Sequence, residues 1–294
     1  FTRQAEMIYS ELKEYHQLYD IYNSYEGVDN IKTVNEQAGI APVKVDRRII
    51  DLLLFSEEAY ETAGGKVNVA FGSVLKIWHD YREAGTEDPG RAALPGTDLL
   101  EEASGHTDID QLIIDEQATT VYLADPKMSL DVGAVAKGYA VEQVARAAEE
   151  NGFASLLISV GGNVRSIGTR DDGAVWKVGV QNPYEQGGAD MTRVGLKDAS
   201  LVTSGIYERY YTVDGKNYHH IIDPATLYPA DYFLSVSILC PDSGLADALS
   251  TAVFNLPFEQ GLALIESLPD TEAAWVFPDK QVRYSSGFQN HITD

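Results

Sequence analysis

The apolar positions in the first part of the chain recur mostly every three or four residues, which is the spacing of one face of a helix. They predict an amphipathic helix over residues 3–20 and a second helix that begins after Asp46 and ends at Gly64-Gly65. Asp46 suits the start because its carboxylate can accept hydrogen bonds from the free amides of the first turn. Residues 79–110 are rich in Gly, Pro, Asp and Glu, so we expect a surface loop with short helical pieces and no chemistry there.

The pattern changes near residue 111, where short runs of β-branched and apolar residues follow one another. Strands are predicted at 111–115, 119–124, 155–160, 176–180, 206–213, 218–222, 234–239, 273–277 and 282–284. Helices are predicted at 134–150, 245–255 and 258–267. Because predicted strands often adjoin in sequence, we expect an α+β fold of mixed, largely antiparallel sheets with packed helices, forming a single domain over residues 1–294.

The densest group of polar and aromatic residues lies at 203–229, around one predicted hairpin. Asp214-Gly215 suits its turn, because both residues tolerate positive φ. Two antiparallel strands joined by a tight turn bring their outer ends together. Each residue alone is typical of an ordinary polar hairpin edge, but their density favours a functional site. The candidates are Thr203, Ser204, Tyr207, Arg209, His220 and Asp223.

The overall charge limits the ligands that the chain can bind. Lys plus Arg is 22 and Asp plus Glu is 45, which gives a formal charge of −23 at pH 7. This charge argues against nucleic acid and anionic bilayers as partners. An anionic ligand must therefore be held locally, by a metal ion, a helix N-terminus or a glycine-rich turn.

The cysteine count and the hydropathy address disulfides and membrane segments. The single cysteine, Cys240, lies in an apolar run, so an intramolecular disulfide is excluded and we expect a buried thiol. No apolar leader and no span of about twenty apolar residues is present. Because the chain begins at Phe1, we expect a trimmed or mature soluble part of the protein.

Two glycine-containing clusters could bind a phosphate. In residues 131–138, Asp131 and Lys137 flank a predicted helix start, whose free amides attract anions. An ordinary strand-to-helix turn with a surface lysine explains the same residues. In the second cluster Gly161-Gly162 and Asn163 follow a predicted strand and could present amides to a dinucleotide, although this signal is weak alone.

A further cluster, Asp247 to Thr251, is predicted at the beginning of a helix. Asp247 and Thr251 are four residues apart and share one helical face, where a carboxylate and a hydroxyl can both reach a hard cation. Mg²⁺ suits such a sparse set of oxygen ligands, since it keeps waters and shares substrate phosphates. An N-capping role for Asp247 explains the same pattern.

In this order, the motifs DxGxxAKG, GGN, TSGxYER followed by HHIIDP, and DALST resemble the ApbE family of FMN transferases. The resemblance implies an α+β fold that binds FAD and Mg²⁺. It also implies an enzyme that cleaves FAD, releases AMP and attaches FMN through a phosphoester bond to a threonine of a target protein, such as a subunit of a redox pump. The expected location is extracytoplasmic, in the periplasm and anchored to the outer side of the cell membrane as a lipoprotein.

The resemblance also implies roles for single residues. Asp247, Thr251 and the carbonyl of Ala134 are expected to hold Mg²⁺. His220 and Asp247 are the expected catalytic residues, with His220 polarising or deprotonating the incoming hydroxyl. Contacts to FAD are expected from Tyr22, Asn68, Val69, Ala70, Asp131, Lys137, Gly162, Asn163, Ser204, Tyr207, His220, Ile222 and Ser250.

The chain departs from the family pattern at three positions. Asn68 and Ala70 stand where the family usually has Asp and Thr, and Leu227 stands where it usually has Gly. The lost carboxylate and hydroxyl could weaken contacts to the adenine or ribose. Two alternatives therefore stay open beside transfer: an FAD pyrophosphatase that yields FMN and AMP with water as nucleophile, and a protein that binds FAD without chemistry.

Overall fold

The computed structural model describes residues 2–184 and 190–293, with side chains from Ala5 onward. The described residues form two compact units, and each is treated by itself. Unit 1 comprises the described parts of Phe1–Ile8, Val135–Tyr207 and Ala230–Asp294, and unit 2 comprises Tyr9–Ala134 and Glu208–Pro229. This division does not test the expectation of a single domain, which stays a prediction.

Helices and short strands alternate irregularly along the described chain. The α-helices are α1 Thr2–Tyr19, α2 Ile31–Glu36, α3 Arg47–Thr62, α4 Gly72–Glu87, α5 Thr97–Ser104, α6 Ala136–Glu150, α7 Ser243–Phe254 and α8 Phe258–Glu266. The strands are β1 Val43–Lys44, β2 Leu112–Asp115, β3 Thr120–Leu123, β4 Ser155–Val160, β5 Asn163–Gly168, β6 Trp176–Val180, β7 Thr192–Leu196, β8 Ser200–Gly205, β9 Tyr210–Val213, β10 Lys216–His219, β11 Ser235–Cys240, β12 Glu272–Val276, β13 Val282–Tyr284 and β14 Ile292–Thr293. Short 3₁₀ helices occupy Pro89–Arg91, Ile109–Gln111 and Phe288–His291.

Unit 1 is built on a six-stranded sheet in the order β13-β12-β11-β8-β5-β4, with every neighbouring pair antiparallel. A smaller antiparallel sheet, β14-β7-β6, shares an apolar cluster with Leu201, Leu239 and Ala274 of the large sheet. Helix α7 contacts β8 and β11 and also packs on α6. Every residue of β11 is buried, as expected for a strand covered on both faces. This packing buries α7 and the chemistry it carries.

Unit 2 contains the three-stranded antiparallel sheet β1-β3-β2 and the hairpin β9–β10. Helix α4 packs on β9, and the contact is rich in aromatic side chains. Trp78 stacks on Tyr218 and meets Tyr228 edge to face, with ring centroids 6.4 Å and 5.3 Å apart. This cluster buries one face of α4 against the hairpin and leaves another face for other contacts.

The structure confirms the expected α+β fold class, and Asp46 accepts a hydrogen bond from the Arg48 amide at the start of α3 as predicted. Three expectations about secondary structure were wrong. The strand predicted at 206–213 begins only at Tyr210, because the chain turns at 206–209 after β8 ends at Gly205. The region predicted as loop from residue 79 begins inside the sixteen-residue helix α4, which ends at Glu87, because apolar contacts to the hairpin stabilise a helix that its composition alone disfavours. Ser204 and its neighbours, predicted to precede the hairpin as its outer end, lie instead in β8 of the large sheet.

In the described part of the chain, no helix combines the length and the apolar character that spanning a bilayer requires.

Candidate active site

Asp247 is the central acidic group of unit 1. It lies in the second turn of α7 with only 3% of its surface exposed, and its Oδ2 accepts a hydrogen bond of 2.8 Å from the Gly138 amide. Lys137 Nζ lies 3.2 Å from Oδ1 and 3.3 Å from Oδ2. A buried carboxylate needs this compensation, because an unpaired buried charge is strongly destabilising. The N-capping interpretation of Asp247 was wrong, since Asp242 caps α7 by accepting from the Leu245 amide at 2.9 Å.

Gly138 allows the first turn of α6 to approach Asp247 closely. A Cβ at this position would overlap the Ser243 carbonyl oxygen and would lie 2.5 Å from the Asp247 Cβ. The N-cap residue of α6, Val135, has no side chain that could accept from the first amides, and Asp247 accepts from one of them, that of Gly138. The structure therefore brings a helix N-terminus and a lysine, two groups that attract a phosphate, next to a carboxylate that could hold a cation.

Asn163 is placed beside this group by the tight turn between β4 and β5. Gly161 and Gly162 both have positive φ, +52° and +91°, which a two-residue type I′ hairpin demands and glycine readily adopts. Asn163 is 1% exposed, and its Oδ1 lies 3.5 Å from Lys137 Nζ. Among the described residues its Nδ2 has no hydrogen-bond partner. A buried donor left unpaired is costly, so this amide indicates a place for a ligand acceptor.

Two serines connect β8 to α7 next to Asp247. The Ser250 hydroxyl donates to the Asp247 carbonyl at 2.8 Å, so the Ser204 hydroxyl must donate in the 2.7 Å contact between the two Oγ atoms. The Tyr207 ring lies against Gly205, where a Cβ would be 2.6 Å from a ring carbon. Ser204 and Ser250, both predicted to contact FAD, are thus brought together in unit 1.

The oxygen donors of unit 1 fit a hard divalent cation. Thr251 follows Asp247 by one turn on α7 and is half-buried. The described residues contain no group of three or more His, Cys, Asp or Glu side chains that could hold a metal. One carboxylate and one hydroxyl suit Mg²⁺, which completes its shell with waters, carbonyls and substrate phosphates. Ala134, the third predicted ligand, is the last residue of its segment of unit 2.

His220 is the candidate base of unit 2. It directly follows β10 and is half-buried, and its Nδ1 lies 3.2 Å from the Arg209 carbonyl oxygen. A carbonyl oxygen only accepts, so Nδ1 carries the proton and Nε2 keeps its lone pair. Burial lowers the pKa of His220 to about 4, and the positive charges of Arg209 and Arg82 contribute to the decrease. The ring is therefore neutral at pH 7 and able to accept a proton at Nε2.

The turn after His220 is anchored by a buried ion pair. The Asp223 carboxylate is 6% exposed and lies 2.7 Å from Lys66 Nζ. It also accepts from the Ala225 amide at 3.0 Å, while Ile222 pairs with Pro229 across the turn. Leu227 adopts φ +63°, a conformation that favours glycine, and its carbonyl accepts from Trp78 Nε1 at 2.9 Å. The non-glycine residue is thus held in place by α4.

Asn68 has a structural role at one of the departures from the family pattern. Its Oδ1 accepts from the Ala70 amide at 2.8 Å, and its Nδ2 donates to the Thr107 carbonyl at 2.9 Å. An aspartate could make the first contact but has no proton for the second. Val69 is buried beside it, and its carbonyl accepts from the Asp131 amide at 2.8 Å. The side-chain amide of Asn68 therefore fixes the conformation of residues 68–70, which are predicted to contact FAD.

Asp131 lies in the same unit as His220. Its Oδ1 accepts from the Gly133 amide at 2.8 Å. Burial raises the pKa of its carboxyl, and the nearby charges of His79, Arg209 and Arg82 act in the opposite direction.

Tyr22 borders a cavity of unit 2 that the sequence did not indicate. The cavity has a volume of about 400 Å³, and the rings of Tyr22 and His79, which both line it, pack against each other with centroids 5.0 Å apart. His79 and Arg82 were missed because their region was predicted as a loop without chemistry. Their helical spacing was the available signal. The full lining is Tyr22, His79, Arg82, Glu83, Thr86, Glu208, Arg209 and Tyr210.

Comparison with known proteins places the whole chain among flavin transferases. The model of the ApbE family matches residues 2–275. A protein from Treponema pallidum named FAD:protein FMN transferase is 38% identical over 276 residues, covering 89% of this chain and 74% of that protein. A Klebsiella pneumoniae protein of the same name is 31% identical over 283 residues, covering 96% and 84%. These relatives confirm the expected enzyme class, a transferase.

Solved structures agree with the sequence comparison. The crystal structure of the ApbE protein from Thermotoga maritima has a TM-score of 0.87 and 27% identity, covering 100% of this chain and 92% of that one. The flavin transferase ApbE from Vibrio cholerae has a TM-score of 0.80 at 22% identity, covering 99% and 90%, which shows the shared fold. The family match, the relatives and the structures together establish that this chain belongs to the ApbE family.

Proposed function

We propose that the protein is an Mg²⁺-dependent FAD:protein FMN transferase that cleaves FAD, releases AMP and attaches FMN to a threonine of a target protein. The observation that carries the proposal is the cluster around the start of α6. There Lys137 and the Gly138 amide contact the buried Asp247, and Asn163 Nδ2, which has no partner among the described residues, lies beside Gly138. The names of the relatives support flavin transfer, and the magnesium requirement and the threonine acceptor are our proposals.

Unit 1 supplies the electrostatics of the reaction. Asp247 and Thr251 of unit 1 would hold Mg²⁺, and the family resemblance adds the Ala134 carbonyl as a ligand. When bound, the ion would neutralise charge that develops on the phosphate oxygens. Lys137 and the free amides of α6 add fixed positive potential at contact distance. Distant carboxylates are screened beyond about 8 Å at physiological salt. A chain with a formal charge of −23 can therefore hold an anionic dinucleotide.

Unit 2 supplies the proton acceptor. The threonine hydroxyl oxygen attacks the phosphorus on the FMN side, the bond from that phosphorus to the bridging oxygen breaks, and AMP leaves with the bond electrons. His220 Nε2 takes the hydroxyl proton, since Nδ1 is already bonded to the Arg209 carbonyl. The low pKa of this histidine keeps the acceptor nitrogen free at neutral pH.

The test follows both products of FAD cleavage. The protein is incubated with FAD, Mg²⁺ and a threonine-bearing target protein, AMP is measured by chromatography, and the target is weighed by mass spectrometry. We expect AMP and an FMN-bearing target in equal amounts, and neither product in EDTA. FMN and AMP without a modified target would identify a pyrophosphatase, and stable bound FAD without AMP would identify a binding protein.

We also propose that the protein acts outside the cytoplasm and is anchored by lipid to the outer side of the cell membrane, as the family resemblance implies. Fractionation of cells that express the full gene, followed by protease treatment of intact spheroplasts, tests this. We expect the protein in the membrane fraction and sensitive to external protease. Recovery in the cytosol contradicts the proposal.

A further inference from the structure

The two arginines of the unit 2 cavity differ from the other arginines whose side chains the structure describes. Seven of these place a guanidinium nitrogen within 4.0 Å of a carboxylate, and Arg283 lies over two aromatic rings. Among the described residues Arg82 and Arg209 make no such ion pair, in a chain whose acids outnumber its bases 45 to 22. The acid that their charges affect is Asp131, which lies beyond ion-pair distance of both. The seven paired arginines are Arg47, Arg48, Arg91, Arg146, Arg165, Arg170 and Arg193.

Arg82 and Arg209 both line the cavity of about 400 Å³. Arg82 Nη2 donates to His79 Nδ1 at 2.8 Å, which orients the guanidinium and leaves its other N–H groups available. Glu83 and Glu208 line the same cavity, yet neither forms an ion pair with Arg82 or Arg209 within 4.0 Å in the described structure. Unpaired guanidinium groups that share a cavity provide donors for an oxyanion.

The cavity adjoins the candidate base. The Arg209 carbonyl oxygen accepts from His220 Nδ1 at 3.2 Å, so a residue that lines the cavity also orients the imidazole. The positive charges of Arg82 and Arg209 both act to lower the pKa of His220 and the pKa of Tyr22, and Tyr22 lines the same cavity. When the hydroxyl of an acceptor threonine reaches His220 Nε2, the residues next to that threonine in the target protein therefore come close to this cavity.

We propose that Arg82 and Arg209 are specificity-determining residues that bind a carboxylate side chain in the acceptor segment, close in sequence to the modified threonine. This inference rests on the proposed function. A carboxylate suits the cavity better than a phosphate does, because Glu83 and Glu208 would repel a second negative charge. In the proposed function Lys137 and Mg²⁺ already bind the phosphates of FAD, so these phosphates do not need Arg82 and Arg209.

The first test measures binding without chemistry. Synthetic peptides carry one threonine in an alanine and serine background, and a single Asp is moved through the four positions on each side, with Asn in a matched set. Calorimetry with the FAD-free protein gives their affinities. At one or two positions we expect Asp to bind about tenfold more tightly than Asn, as one charge-assisted hydrogen bond allows. Equal affinities at every position would overturn the inference.

The second test measures transfer to the favoured Asp peptide and to its Asn counterpart. We expect R82Q and R209Q each to lower kcat/KM for the Asp peptide about tenfold more than for the Asn peptide, and so to remove the advantage of the Asp peptide. R209K should keep part of the preference. R91Q is the matched control, because the Arg91 side chain is 88% exposed and lies in the same unit outside the cavity.

The outcomes separate this inference from the proposed function. Equal losses on the Asp and Asn peptides would overturn carboxylate recognition while transfer itself stands. A raised KM for FAD in R82Q or R209Q would assign the oxyanion to the nucleotide and also overturn it. If no peptide or protein is flavinylated but the Asp preference in binding persists and needs both arginines, the cavity binds a carboxylate and the proposed transfer fails instead.

Discussion

The proposed phosphate and Mg²⁺ site of unit 1 and the proposed carboxylate site of unit 2 are built differently. In unit 1, Asp247, Gly138 and Asn163 are buried, and their contacts use backbone amides and positions where a larger side chain would not fit. In unit 2, Arg82 and Arg209 are long side chains around an open cavity, without ion-pair partners in the described structure. The first arrangement is preorganised for one ligand geometry, whereas the second can adapt to different partners.

The largest expected effect is on unit 1 chemistry. Asp247→Ala removes the buried carboxylate and leaves the Gly138 amide and Lys137 without their partner. We expect FMN transfer and FAD hydrolysis to fall roughly a thousandfold or more, because stabilisation of the charged transition state is lost. Product assays with saturating Mg²⁺ measure the change.

Asp242→Asn is the matched control, since it keeps an N-capping side chain on the same helix and should retain most activity. Full activity of Asp247→Ala, or activity of the wild type in EDTA, would show that the cluster of unit 1 is not the reactive site.

The next effect tests the close packing of unit 1. Gly138→Ala places a Cβ against the Ser243 carbonyl, so α6 and α7 must separate. We expect the free energy of unfolding to fall by about 3 kcal/mol, measured by urea denaturation, with loss of transfer. Gly96→Ala is the control, because a Cβ there meets nothing within 4 Å and φ is −67°. An unchanged stability for Gly138→Ala would show that the helices are not in tight contact.

A smaller effect concerns the departure at Asn68. Asn68→Asp restores the residue of the family pattern but places a carboxylate oxygen against the Thr107 carbonyl. We expect a loss of about 1–3 kcal/mol in the free energy of unfolding, since the carbonyl loses its donor. Asn217→Asp is the control, because the exposed Asn217 only accepts, from Thr212. If Asn68→Asp binds FAD more tightly and is also more stable, the Asn68 side-chain amide does not stabilise the fold and the prediction is wrong.

The smallest effect is a protonation shift in unit 2. The folded-state pKa of His220 is about 4 and the ordinary value is 6.5, so the folded protein binds this proton less tightly than the unfolded chain does. Its contribution to stability is therefore present above pH 6.5 and is lost as the pH falls from 6.5 towards 4. We expect the ring nitrogens to stay in the Nδ1–H form down to about pH 5 in NMR spectra.

The assignment of these ring signals comes from comparison with His220→Gln. A His220 ring that titrates near pH 6.5 would show that the ring is not desolvated in the folded protein.

Local signals predicted much of this molecule. The Asp46 cap and the Asp214-Gly215 turn between β9 and β10 depend on residues close in sequence, and the structure confirms them. The four motifs likewise indicated the family that the comparisons establish. The roles of the individual site residues stay predictions.

The errors arose where distant segments decide the outcome. Residues 79–87 extend α4 because Trp78 and its neighbours pack on a hairpin more than a hundred residues away. Asp247 resembled an N-cap because two aspartates, Asp242 and Asp247, lie near the start of the predicted helix and the sequence alone does not show which of them caps it. In the structure Asp242 is the N-cap. Local propensity is a weak guide where tertiary burial contributes more free energy.

The sequence by itself determined the motifs, the turn glycines, the fold class and the excess of acids, since each depends on composition or on neighbouring residues. Only the tertiary structure decided that Asn163 Nδ2 is buried without a partner, and that Arg82 shares a cavity with Arg209. The reason is physical. Hydrogen-bond satisfaction and ion pairing depend on which side chains packing brings within a few ångströms, and no short segment contains that information.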